Sequence, residues 1–229
     1  MFRFLVDRKY HSARVWSNEV LRSIAPVFSG DVANVSGWDD RDKEGGSYKD
    51  YFTGHRTYNL TNYPGHYGFA NRPGEIALDL TAELPQDLLR RFDVVYNHTT
   101  LEHVFEVRKA FSNLCAMTRD VVIVVVPFSQ VQHESESYGD FWRFTPTCVR
   151  ELFTENGLEI VYEAESPNRN SAIYLLFVGS RNPERQTENL PPFKNVEIAG
   201  AWIGASILVS GIQYVKEKLR RVLERIIRE

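Results

Sequence analysis

A chain of 229 residues with 43% hydrophobic side chains has room for one α/β domain of about 150 to 200 residues plus an appendage, with a full core. Its 27 Lys and Arg against 30 Asp and Glu leave a formal charge of -3, without the basic excess that neutralises phosphates, so no nucleic-acid partner is expected. Cys115 and Cys148 show neither metal-ligand spacing nor a pairing signature, so no metal is expected and a reduced, cytoplasmic setting is. The opening Met1 to Tyr10 carries Arg3, Asp7, Arg8 and Lys9 and does not read as a secretory signal.

Residues 12 to 25 place Val15, Val20, Leu21 and Ile24 at helical spacing, and Pro26 helps to end that helix. Residues 31 to 37 predict a short strand closing on Gly37, and a polar loop follows from Trp38 to Asp50 with Gly45-Gly46 as punctuation. A weaker strand is expected over 57 to 61, a loop over 62 to 74, a third strand over 75 to 80 and a helix around Asp87 to Arg91. The central unit is Phe92 to His98, a helical run, then Val121 to Pro127: two apolar runs around an amphipathic segment, as in parallel strands joined by a helix. Asn97, His98 and Thr99 then fall beyond a strand's carboxyl end, where open α/β sheets bind ligands.

The loop from Ser129 to Phe144 is rich in His, Glu, Tyr, Trp and Arg, a composition suited to specificity. Thr145 is expected to cap a helix with Pro146 at its first position and Gly157 beyond its end. Strands over 158 to 163 and 172 to 179, with no helix between them, would finish the sheet as an antiparallel pair. Residues 181 to 195 read as a proline-containing linker. In the tail, residues 196 to 229, the stretch 198 to 215 carries no charge, and Ile212, Val215, Leu219, Val222 and Ile226 form one helical seam. Packing on a second copy is the expectation for this tail. Contact with a membrane surface is the alternative, because Lys216, Lys218, Arg220, Arg221, Arg225 and Arg228 follow the uncharged run.

The predicted strand ends at Ser36-Gly37, Thr61, Asp79-Leu80 and Asn97-His98 suit a nucleoside-like ligand. With these residues, with Phe92 to Val104 and with Tyr138 to Pro146, the chain over about residues 30 to 180 resembles the class I S-adenosylmethionine-dependent methyltransferases, in particular small-molecule enzymes of the type 11 kind. The resemblance implies a Rossmann-like seven-stranded, mostly parallel α/β sheet with helices on both faces and an antiparallel last strand, occupying residues 1 to 180. It also implies S-adenosylmethionine as cofactor, with Val35, Ser36, Gly37 and Trp38 at the methionine part, Thr61 at the ribose, Asp79 and Leu80 at the adenine, and Asn97 and His98 beside the sulfonium and acceptor. Family members commonly carry glycine where Ser36 and Trp38 stand, and an acid near Thr61; Asn59, Asn62 or Asp39 are the residues able to compensate.

For a base acting on an acceptor hydroxyl, His98 and His133 are the candidates. His133 also suits a solvated loop position. His103 and Glu102 are expected at the start of a helix, as packing or cap and as a favourable N-terminal charge, and Trp142 and Arg143 are expected to anchor the helix that follows. The expected activity is methylation of a small molecule, a sugar or glycolipid precursor, with oxygen as the favoured acceptor. The alternative is a catalytically silent scaffold of the same fold whose tail joins an oligomer or a membrane-bound assembly. A nicotinamide-dependent oxidoreductase is disfavoured, because no Gly-x-Gly-x-x-Gly turn follows Val35.

Overall fold

The computed structural model describes residues 11–65, 68–130, 132–167, 172–197 and 215. One seven-stranded sheet organises them. Its strands are β1 (Ser29–Val35), β2 (Gly54–Asn62), β3 (Ile76–Ala77), β4 (Phe92–His98), β5 (Thr118–Pro127), β6 (Glu159–Glu165) and β7 (Tyr174–Ser180). Their order across the sheet is β3-β2-β1-β4-β5-β7-β6. The first five strands pair in parallel, and β7 runs antiparallel to both β5 and β6. The expected mostly parallel sheet with an antiparallel last strand is thus the observed one.

β4 and β5 sit at the centre and are buried on both faces, so their sequences are near-continuous apolar runs rather than alternations. Alternate residues serve two cores. Val95, Val122 and Val124 meet α2 (Val107–Met117) and α3 (Pro146–Glu155) through Phe111, Leu114 and Phe153. Val94, Tyr96, Ile123 and Val125 meet α1 (His11–Ile24) through Leu21 and Ile24, and meet Tyr48 and Phe52 of the loop after β1. Thr145 caps α3 by accepting from the Cys148 amide, Pro146 is its first residue, and Gly157 takes φ +67° past its end, as expected.

Several boundaries differ from the sequence reading. β1 stops at Val35, leaving Ser36 and Gly37 in a turn, while β2 starts three residues early because its amino end pairs with Ser29 and Gly30. β3 shrinks to two residues paired with Thr61 and Asn62. The helix expected around 87 to 91 is one 3-10 turn, Gln86–Leu88, without a side-chain cap and followed by Arg90 at positive φ. α2 begins at Val107, not at Glu102, since Leu101–His103 forms a separate 3-10 turn.

The prolines of residues 181 to 195 do not loosen that segment from the domain. It contains α4 (Pro183–Thr187), and Leu190 and Val196 are buried. Glu163, turned inward from edge strand β6, accepts from Arg150 of α3 and from the Val196 amide, fastening this strap. Among the described residues no helix is long and apolar enough to cross a membrane. The tail's apolar seam, and with it the expected packing on a second copy or on lipid, lies outside the described residues apart from Val215.

Candidate active site

No α-helix joins β1 to β2; apart from one 3-10 turn, Tyr48–Tyr51, the chain after Val35 folds into a loop held by the carboxylates of Asp40 and Asp42. Asp40 accepts from the Asn34 amide nitrogen at 2.7 Å, the Tyr58 hydroxyl at 2.6 Å, the Lys49 backbone at 3.0 Å and the Ser47 hydroxyl. Asp42 accepts from the Glu44 and Gly46 amides and the Tyr51 hydroxyl, and these bonds hold its carboxyl below the usual range against the opposing pull of burial. Asn18 of α1 donates to the Asp42 carbonyl. Side-chain acceptors thus take the place that a helix would fill.

At the head of that loop Ser36 and Trp38 adopt φ of +56° and +53°, the left-handed region where glycine is the ordinary occupant. The backbone takes glycine-like angles at both positions although neither residue is glycine. Gly37 is required for a different reason, since a Cβ there would lie 2.5 Å from the Asn34 side chain and 2.6 Å from that of Leu60. The Gly37 amide donates to the Thr61 carbonyl, and the Ser36 amide lies 3.4 Å from Thr61 Oγ1. Asn62 receives the Trp38 amide and donates to the Trp38 carbonyl and to Glu75 Oε1, each within 2.8 Å. Trp38 itself is 58% exposed, so its indole is not packed into the core.

Asn97, fully buried at the tip of β4, donates from Nδ2 to the Val35 carbonyl at 2.9 Å, bridging the ends of β1 and β4. Its Oδ1 is buried with no hydrogen-bond donor, an acceptor set between the two strand tips. The next residue, His98, points to the opposite face of the sheet, beneath α1. Its Nδ1 lies 2.6 Å from Arg14 Nη1, and its Nε2 lies 2.9 Å from the Ser17 hydroxyl, which gives its own proton to the Arg14 carbonyl. A guanidinium can only donate and the hydroxyl proton is committed, so the ring is the neutral tautomer with hydrogen on Nε2. Burial, with Arg14 and Lys43 nearby, holds its pKa well below the ordinary value. Thr99 follows at φ +47° with its hydroxyl receiving Arg14 Nη2 at 3.0 Å. A β-branched residue in that region is a conformational outlier, and such outliers cluster at functional sites.

Arg14 therefore has only neutral partners, Tyr48, His98 and Thr99, and forms no ion pair among the described residues. Arg14, Ser17, Asn18 and Leu21 share one helix face by their spacing, and Ser17, Asn18 and Leu21 are buried. Three polar residues on an inward face were the available signal, and the sequence reading, attending to apolar positions, missed it. It missed Glu75 as well, whose carboxylate gathers Asn62 with the Ala70 and Arg72 amides.

A second cluster lies on the turn after β4. Glu102 is fully buried, and neither carboxylate oxygen accepts from another group. Burial raises its carboxyl to about 8 against the pull of its own amide, Arg14 and Arg143. The loop of residues 129 to 144 closes over it: the Phe141 and Trp142 amides donate to the Glu102 carbonyl, His103 Nδ1 donates to the Gly139 carbonyl at 2.6 Å, and the Trp142 indole donates to the Val104 carbonyl. Arg143 grips Asp140 with two bonds of 2.6 and 2.7 Å, and Asp140 accepts the His133 amide. Trp142 and Arg143 thus anchor their own loop. His103 and His133 meet edge to face with ring centroids 4.8 Å apart.

The structure brings Val35, Ser36, Gly37, Thr61 and Asn97 together at adjoining strand tips. His98 and His133 belong to separate clusters on different elements. Asp79 caps a turn through the Thr81 amide and hydroxyl, and the buried Leu80 offers its carbonyl to Asn113. A cavity of about 180 Å³ at the β2 edge is lined by Asp40, Lys49, Tyr58, Arg72 and Glu75 among others. It contains none of the predicted stations and is smaller than the roughly 300 to 1,000 Å³ of small-molecule pockets.

No family model matches the sequence, and no curated protein matches it. Solved structures do match the fold. Magnesium protoporphyrin IX methyltransferase from Synechocystis PCC 6803, with bound SAM, superposes at a TM-score of 0.53 and 12% identity over 76% of this chain and 82% of that one. The 1,6-didemethyltoxoflavin-N1-methyltransferase of Burkholderia thailandensis, with bound 1,6-didemethyltoxoflavin and S-adenosylhomocysteine, gives a TM-score of 0.51 at 18% identity over 75% of this chain and 83% of that one.

Proposed function

The chain has the fold of the class I S-adenosylmethionine-dependent methyltransferases, and from that premise we propose that it transfers a methyl group from S-adenosylmethionine to an oxygen of a small molecule. A sugar or glycolipid precursor is the favoured acceptor class. The observation that carries the reading is the junction of β1 and β4, where Asn97 ties the two tips together and leaves a buried acceptor atom without a donor. Groups of that kind are normally paired in a folded protein, so the fit to a ligand bearing hydrogen-bond donors is good.

When bound, S-adenosylmethionine supplies an electrophilic methyl group. The turn from Val35 to Trp38 would take its methionine part, Thr61 the ribose, Asp79 and Leu80 the adenine, and Asn97 the region beside the sulfonium. Arg14 is added to that set. A helix amino terminus after β1 ordinarily offers amide donors and a favourable dipole to an anionic group. With no α-helix there, a carboxylate needs another positive partner, and the Arg14 guanidinium has no anionic partner of its own among the described residues. His98 is assigned the positioning of Arg14 and Thr99, because both ring nitrogens are engaged. The acceptor is given to the cluster of Glu102, His103 and His133.

Calorimetric titration of S-adenosylmethionine into the full chain is expected to show saturable binding. Arg14→Gln, by removing a charge-assisted bond of about 1.5 to 3 kcal/mol, should weaken it by about 10- to 100-fold. No heat up to millimolar ligand would end the cofactor assignment. One observation favours the silent scaffold as second reading: Asn62, able to replace the missing ribose-binding acid, is already committed to Trp38 and Glu75. Binding without methyl transfer to any hydroxylated acceptor would select that reading.

A further inference from the structure

We propose that Glu102, His103 and His133 form a binding site for one divalent transition-metal ion, of the kind that zinc or cobalt fills. One ligand atom from each residue can be chosen so that all three lie within 4.8 Å of one another, a spread that a single ion bound at about 2.0 to 2.2 Å by each can close with small side-chain movements. Two imidazoles and one carboxylate on one ion, with the remaining positions open, is the ligand set of many catalytic rather than structural sites.

Three further features support the assignment. The Glu102 carboxylate is wholly buried, and both of its oxygens lack a hydrogen-bond donor, an arrangement that an ion would resolve at once. His103 gives its Nδ1 hydrogen to the Gly139 carbonyl at 2.6 Å, which fixes the tautomer and turns the Nε2 lone pair inward, where Nε2 stands 3.9 Å from Glu102 Oε1. His133 Nδ1 lies 3.5 Å from Asp140 Oδ2, and Asp140 is itself held by Arg143. Outer partners of this type, a carbonyl behind one imidazole and a carboxylate behind the other, orient ligating histidines and strengthen them as donors. The sequence hides the site because the third ligand comes from the loop after β5 and the first two are adjacent on a 3-10 turn, so no motif spacing announces it.

The open positions would take oxygen ligands from an acceptor, a hydroxyl or a vicinal diol. That use rests on the methyl-transfer reading; the ion site does not. The test is therefore run without S-adenosylmethionine. Full-length protein stripped with a chelator is titrated with zinc by calorimetry and with cobalt by visible absorption. The expected result is one equivalent of each, with the ligand-field bands of a nitrogen- and oxygen-ligated cobalt ion. His133→Gln, on a loop outside both cores, should weaken zinc binding by at least 100-fold with an unchanged circular dichroism spectrum, as should His103→Gln, while His55→Gln should not. Absence of stoichiometric binding to the unsubstituted chain, or binding that survives both His103→Gln and His133→Gln, would overturn the site.

Discussion

Ser36 and Trp38 hold a glycine's backbone angles without being glycine, and each pays for it in conformational strain of roughly 1 to 2 kcal/mol. Ser36→Gly should relieve that strain. After subtracting the greater freedom glycine brings to the unfolded chain, a net gain of about 0.5 to 1 kcal/mol in urea unfolding is expected; a loss would mean that the Ser36 side chain stabilises the turn in some other way. His98 makes a second measurable case. Its folded-state pKa lies well below the ordinary value, so the unfolded chain binds the proton first and stability falls as pH drops below about 6.5, by up to about 1.4 kcal/mol per pH unit. The stability advantage of the unsubstituted chain over His98→Asn should accordingly shrink between pH 7.5 and 5.5, and a constant difference would show that the ring is not buried neutral. The strand-tip position of His98 was legible from its place after an apolar run. Its direction was not, because whether Asn97 or His98 faces α1 depends on strand register and not on residue type.

At the scale of elements, the strap of residues 183 to 197 depends on one carboxylate. Glu163→Ala removes the acceptor for Arg150 and for the Val196 amide together. A fully buried pair broken on one side costs about 3 to 5 kcal/mol; with Arg150 34% exposed, about 2 to 3 kcal/mol is expected, with faster proteolysis between 188 and 197. Arg108→Ala, which loses an exposed pair with Glu155, should change stability by well under 1 kcal/mol and is the control. The strap was read as a linker because prolines and polar residues dominate it, and two buried apolar side chains, Leu190 and Val196, are too few to give a periodic signal. β4 and β5 were legible for the opposite reason, since burial on both faces leaves an unbroken apolar run. β3 was overestimated: Glu75 to Leu80 has the composition of a strand, but only two residues find partners on β2.

Across the whole molecule, the sheet order divides the labour between two faces. α1 and the carboxylate-pinned loop build one side, carrying Arg14 and His98, while α2 and α3 build the other. The turn bearing Glu102 lies between them at the carboxyl end of β4. The overall architecture could be anticipated because strand spacing reports connectivity, whereas the Glu102 cluster could not, since only the fold of the loop from 129 to 144 unites its members. The same architecture leaves β6 as an outer strand, bonded among the described residues to β7 alone. Its exposed Glu159 and Glu165 act as gatekeepers: like charges at the two ends of the outer strand deter another copy from adding itself as an eighth strand. Partial burial raises the Glu165 carboxyl, so acidification removes that charge from the rim. Below the carboxylate range, turbidity and thioflavin-reactive stacking should accompany loss of structure, while near neutrality the protein should unfold without them.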